Sequence, residues 1–196
     1  MKTISKLMVI CLCTVIYSCH KDQDDLQLSN ITDQPLLLPN LIQNPSFELN
    51  GQSSLQYWNY TFGACCIDTF STDTAPGGGN FALRLEPMWV PAEGAVETYI
   101  TGLTGTKPFS FRFYGKVLNF ISSEASASVY KKVTIATNTI YSVNFYNPVW
   151  TQYILTTAPI QMQPTDTLVV KLSAGSTEVA NWYALFDNLE LYQIPY

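Results

Sequence analysis

Short alternating runs of apolar and polar residues recur along this chain, separated by clusters of Gly, Pro and Asn, and no long window carries the 3.6-residue period of a helix. The clearest run is Phe109 to Lys116. Phe109, Phe111 and Phe113 point one way, and Ser110, Arg112, Tyr114 and Lys116 point the other. Three phenyl rings on one side predict a strand with one face in the core. Asn80 to Leu85 repeats the pattern, with Phe81, Leu83 and Leu85 aligned and Arg84 opposed, after the turn Ala75-Pro76-Gly77-Gly78-Gly79. Further strands are predicted at Val96 to Ile100, Ala127 to Ile135, Tyr141 to Tyr146, Thr151 to Thr157, Thr167 to Ser173 and Trp182 to Tyr192. In the last of these, Leu185, Leu189 and Leu191 are expected to share a face with Asp187. About nine short strands at this spacing predict an all-β, two-sheet antiparallel sandwich of the jelly-roll kind.

The first 18 residues carry Lys2 and Lys6, then an apolar run from Leu7 to Ile16 too short for a permanent bilayer span. This reads as a secretory signal. Its end, Ile16-Tyr17-Ser18-Cys19, resembles the bacterial lipobox, which implies lipidation of Cys19 as the first mature residue. Tyr17 is bulkier than that pattern usually has, and a plain signal peptide cleaved nearby is the alternative. His20 to Asp25 is charged and lacks apolar partners, so it is expected to be a solvated tether. It also resembles the acidic export tag that some Gram-negative bacteria place after a lipidated cysteine, implying an outer-membrane address facing the exterior. The predicted organisation is a signal over residues 1–18, a tether over 19–39 and a sandwich over 40–196.

Removing residues 1–18 takes two lysines and no acid, leaving 8 basic against 15 acidic side chains. Such a chain, with only Lys131 and Lys132 adjacent, argues against nucleic acid or an anionic lipid surface as partner, because both draw affinity from clustered cations. Cys65 and Cys66 are the cysteines left to the domain. Free thiols in a loop after a strand at Trp58 are expected, with a strained vicinal disulfide as the alternative.

Three segments resemble the carbohydrate-binding modules with a galactose-binding-like jelly roll: Asn40 to Asn50 (NLIQNPSFELN), Ala95 to Lys116 (AVETYITGLTGTKPFSFRFYGK) and Phe186 to Tyr192 (FDNLELY). The resemblance implies first and last strands lying side by side and a structural calcium held by Glu48 and Asp187, with carbonyls near Gly79 and Asn80. Calcium suits carboxylates and main-chain oxygens in loose geometry. An ionised Asp187 on an apolar face demands a cation or several donors, and capping of backbone amides is the alternative. The same resemblance gives Trp58 and Trp150 packing roles.

A sugar platform needs aromatic planes flanked by polar groups. The candidates are Arg112 and Tyr114 on the polar side of the best strand, Tyr130 and Tyr146 at similar outward positions, and Trp89 and Trp182 in loops; ordinary packing is the competing role for each ring. Catalysis has little support. The only histidine, His20, lies in the tether, so no Ser-His or Cys-His system can form in the domain. Glu86, Glu93, Glu97, Glu124 and Glu178 are acids without a spacing that singles out a hydrolytic pair. The expected function is a lipid-anchored, non-catalytic surface module for polysaccharide or glycan. The rivals are a structural or adhesive protein contacting other envelope proteins, and a glycoside hydrolase or lyase.

Overall fold

The computed structural model describes residues 38–61, 66–87, 92–118, 123–133, 136–176 and 182–195. Fourteen strands occur among them: β1 (Glu48–Leu49), β2 (Gln52–Ser53), β3 (Asn59–Tyr60), β4 (Cys66–Ser71), β5 (Ala82–Pro87), β6 (Ala92–Ile100), β7 (Gly105–Lys107), β8 (Phe109–Leu118), β9 (Ser123–Val133), β10 (Ala136–Phe145), β11 (Thr151–Thr156), β12 (Ile160–Met162), β13 (Thr167–Ser176) and β14 (Tyr183–Gln193). Two five-stranded antiparallel sheets account for ten of them, in the orders β10-β9-β13-β6-β3 and β11-β8-β14-β5-β4. The short pairs β1-β2 and β7-β12 complete the set. The architecture is the expected all-β jelly-roll sandwich.

Period-two patterning explains how the layers meet. Phe109, Phe111 and Phe113 of β8 are fully buried, and one apolar cluster joins them to Leu83 and Leu85 of β5, Val129 of β9 and Leu168, Val170 and Leu172 of β13. Phe145 of β10 crosses the gap, its ring centroid 5.6 Å from Phe113 and 5.4 Å edge-on from Phe186. Gly115 makes room for it: a Cβ there would sit 2.6 Å from Phe145 Cε2. Burying one such ring stabilises the fold by about 2–3 kcal/mol.

The first and last segments do run together, by a mixed mechanism. Leu41 N–H donates to the Leu191 carbonyl at 2.8 Å, and Leu189 N–H donates to the Pro45 carbonyl at 3.0 Å. Between them the Asn40 side chain stands in for backbone, giving its amide to the Leu189 carbonyl and accepting Leu191 N–H.

Two local expectations change. Cys66 opens β4, opposite Pro87, rather than lying in a loop, while Cys65 falls outside the described residues. In β14 the register slips between Asp187 and Glu190, with Asn188 at φ 52°. This bulge reverses side-chain parity. Leu189 and Leu191 therefore join Ala184 and Phe186 in the core, whereas Leu185 lies opposite Arg84 and Lys116 on the other side. Asp187 does not share the face of Leu189 and Leu191.

Candidate functional site

Glu48 and Asp187 come together at the glycine turn before β5. Asp187 is fully buried and accepts Ala75 N–H at 2.9 Å and its own neighbour's amide, Asn188 N–H, at 2.7 Å. Glu48 accepts Phe81 N–H at 2.6 Å. Both carboxylates press on the turn so closely that a Cβ on Gly78 would land on Asp187 Oδ2, and one on Gly79 would land on Glu48 Oε1. Here glycine is required by close approach. Burial pushes the Asp187 carboxyl up to about 6; the two amides act against that shift, and the nearby Glu48 adds to it. Phe47 sits at φ 57°, a region bulky residues avoid, with its ring fully buried and 5.2 Å from Trp58. That strained residue immediately precedes Glu48. Trp58 is buried as expected, its indole N–H on the Asn44 carbonyl.

Two adjacent carboxyl groups, one of them buried with no cationic partner among the described residues, fit a hard divalent cation better than they fit each other. No cluster of three or more His, Cys, Asp or Glu occurs among the described residues, so further ligands would have to be main-chain or neutral oxygens.

A second cluster lies on the outward face of the sheet containing β6, β13 and β9. Register places Tyr99 and Tyr130 on either side of Val169, and places Glu97 beside Lys171 one row away. Tyr99 Oη donates to Glu97 Oε2 at 2.7 Å, and the Tyr130 hydroxyl bonds the same carboxylate. Burial, that hydrogen bond and the Glu97 charge push the Tyr99 phenol up to about 12 and raise Tyr130 in the same direction. Glu97 is therefore a buried carboxyl group hydrogen-bonded by two neutral donors, and those bonds hold both phenol rings in fixed orientations. Lys132 Nζ stands 5.6 Å from the Tyr99 ring centroid, and Lys171 pairs with Glu93 at 2.7 Å.

The remaining platform candidates do not assemble. Arg112 and Tyr114 lie on the outward face of the opposite sheet, where Arg112 is 4.0 Å from Glu190 and 5.9 Å from the Tyr192 ring. Tyr146 is exposed just beyond β10, at the far end of the strand from Thr139, which faces Tyr130. Trp182 is 1% exposed and packs in the core, so it offers no ring to a ligand; the residue before β14 points inward with the parity of Ala184 and Phe186. Trp89 lies outside the described residues, as does Cys19. Trp150 is half-buried, with its indole N–H on Asp73 and Lys116 Nζ 5.9 Å over its ring, rather than packed inside. Tyr99 was missed. Its signal was present, since Glu97 and Tyr99 alternate outward in Ala95-Val96-Glu97-Thr98-Tyr99-Ile100.

No protein-family model matches the sequence, and no curated protein does. Solved structures match the fold. The module TmCBM61, solved with β-1,4-galactotriose, aligns over 80% of this chain and 99% of its own at 13% identity and TM-score 0.54. The chain has the antiparallel β-sandwich, jelly-roll fold of that module. The family 22 xylan-binding domain from Paenibacillus barcinonensis aligns over 80% and 95% at 14% identity, TM-score 0.55. An enzymatically active tailspike domain of bacteriophage CBA120 aligns over 79% of this module-like chain, which spans only 21% of the tailspike, at 16% identity and TM-score 0.59.

Proposed function

We propose that this chain is a non-catalytic module that binds a polysaccharide or glycan, carried on the outer membrane by a lipid on Cys19 and facing the cell exterior. The observation that carries the reading is the Tyr99–Glu97–Tyr130 group. Two phenol rings with immobilised hydroxyls lie on one sheet face beside lysines and serines, which suits stacking of sugar C–H faces and bonding of their hydroxyls. Glu97 retains acceptor capacity, since its two carboxyl oxygens offer more lone-pair sites than the two tyrosine hydroxyls occupy. Similarity over nearly the whole of modules solved with galactotriose or named for xylan, and over 80% of this chain, supports the ligand class.

Glu48 and Asp187 would hold a structural calcium, whose charge would neutralise the pair and tie the first turn to the last strand. This reading includes no catalytic step: among the described side chains Glu86 is paired with Arg84, Glu93 with Lys171 and Glu97 with tyrosines, while Glu178 and the side chain of Glu124 lie outside the described part of the structure.

The test is affinity electrophoresis and calorimetry against β-1,4-linked galactan, xylan and other polysaccharides, with Tyr99→Ala and Tyr130→Ala beside the unaltered chain. Retardation by at least one polysaccharide, lost in both variants, is the expected result. Binding to none of them, or binding indifferent to both substitutions, removes the proposal and leaves an adhesive or structural role among envelope proteins.

A further inference from the structure

From Val133 to Thr165 the sequence contains no charged side chain, in a chain whose formal net charge is −5. The fold sends this stretch through β10, β11 and β12, and both β10 and β11 are edge strands among the described residues. The two sheets thus end on the same side of the sandwich in uncharged strands joined by residues 146–150. Tyr141, Val149 and Ile154 are exposed along it, Val149 at 60% and Ile154 at 57%.

Edge strands normally carry a charge, a proline, a bulge or a very short length, each of which blocks pairing with another chain. The other edges obey this rule. β3 is two residues long, β4 contains Asp68, and β10 has a register slip between Thr139 and Tyr141. β11 has none of these. It reads Thr-Gln-Tyr-Ile-Leu-Thr and pairs with β8 without interruption from Thr151 to Thr156. Its other row of backbone donors and acceptors has no described strand opposite.

We infer that β11 is the contact by which two copies of this chain associate, pairing antiparallel about a two-fold axis through Ile154. Antiparallel partners share a face of the sheet, so a two-fold at Ile154 puts Ile154 against its own copy, Gln152 against Thr156 of the other copy, and Tyr153 against Leu155 of the other copy. Exposed Ile154 thereby meets an apolar equal on the outward face, while half-buried Tyr153 and buried Leu155 extend the interior. Charge selects the occupant. Two copies, each net negative, repel over most approaches and least along this uncharged edge, where the charges nearest Ile154, Arg112 opposite it on β8 and Glu190 beyond, are of opposite sign and 4.0 Å apart, and a self-complementary strand needs no second sequence. A six-residue ladder is a small contact, so the dimer is weak, with a dissociation constant on the order of 10–100 μM.

The experiment is sedimentation velocity on residues 20–196 across roughly 1–500 μM, with hydrogen exchange read at low and high concentration. Expected are a rise from monomer to dimer mass and concentration-dependent protection of the 151–156 amides. Ile154→Lys, which faces two ammonium groups across the axis, should raise the dissociation constant at least tenfold, and Ile154→Val should leave it within about threefold. Both substitutions fall on an exposed side chain, and an unchanged melting temperature will show that the fold is intact. Monomer mass at every concentration overturns the inference. So does a dimer that Ile154→Lys does not weaken, or one whose added protection falls outside β11. None of these outcomes depends on glycan binding.

Discussion

Two buried carboxyl groups sit on opposite sheets of this sandwich, and their hydrogen bonds are supplied in different ways. Glu97 lies on a sheet face under two tyrosine hydroxyls, neutral donors whose rings remain partly open to solvent. Asp187 lies under two main-chain amides, sealed by a glycine turn and confronted by a second carboxylate, Glu48. Side-chain donors can be shared with a ligand, so the Glu97 group is built as a surface. Main-chain donors beside a like charge leave negative potential unanswered, which is why we propose the Asp187 group as a cation cradle. On the proposed reading, one residue chemistry serves recognition in one layer and cohesion in the other.

The sharpest way to break this contrast is to crowd the cradle. Gly78→Ala sets a methyl against the Asp187 carboxylate and the Ala75 carbonyl, and should cost about 2–3 kcal/mol, lowering the melting temperature by roughly 5–10 °C by calorimetry. Gly79→Ala should cost less, because the carboxylate it meets belongs to half-exposed Glu48, which can move. Equal losses for the two would count against a sealed Asp187.

Next in size is pH. The folded Asp187 carboxyl titrates near 6, above its ordinary 3.8, so the folded state holds a proton that the unfolded chain releases in that window. Its contribution favours folding below about pH 4 and is lost as pH rises through 6, a change of up to about 3 kcal/mol in metal-free protein. Saturating calcium should flatten that fall and raise the melting temperature at pH 7, a response that Asp187→Asn should abolish. Denaturant midpoints with calcium and with a chelator check both; identical pH profiles would mean that the pair is satisfied by amides alone.

On the recognition side, Tyr130→Ala should lower glycan affinity about tenfold or more, and Glu97→Gln by about threefold to tenfold through loosened rings. Isothermal titration would separate these, since loss of ring positioning should appear as a larger entropic penalty. The smallest effect belongs to the opposite face. Arg112→Ala removes an exposed contact 4.0 Å from Glu190 and should change stability by less than about 0.5 kcal/mol and glycan affinity by less than twofold. A large loss of affinity there would move the site to the other sheet.

Most strands were legible because the two-residue period of burial is written directly into residues such as Phe109, Phe111 and Phe113. The short β1, β2, β7 and β12 were not, since two or three residues carry no measurable period, and β4 was read as loop at Cys66. The cradle was legible in part, through the resemblance of Glu48 and Asp187 to a known pair. The argument from the apolar face of Leu189 and Leu191 failed, because the bulge at Asn188 reverses parity and a one-residue slip leaves no mark in hydrophobicity.

What the sequence alone determined is the sandwich and its core strands, since these depend on local alternation, while the pairing of its two ends was implied by the resemblance of the terminal segments to a known family. Tertiary structure decided which aromatic rings share a surface. Tyr130 is joined by Tyr99 through Glu97, Trp182 is withdrawn into the core, and Arg112 and Tyr114 go to the other layer. Outwardness along one strand is a local property, but which outward residues become neighbours depends on strand order, and strand order is set by long-range pairing that no single segment encodes.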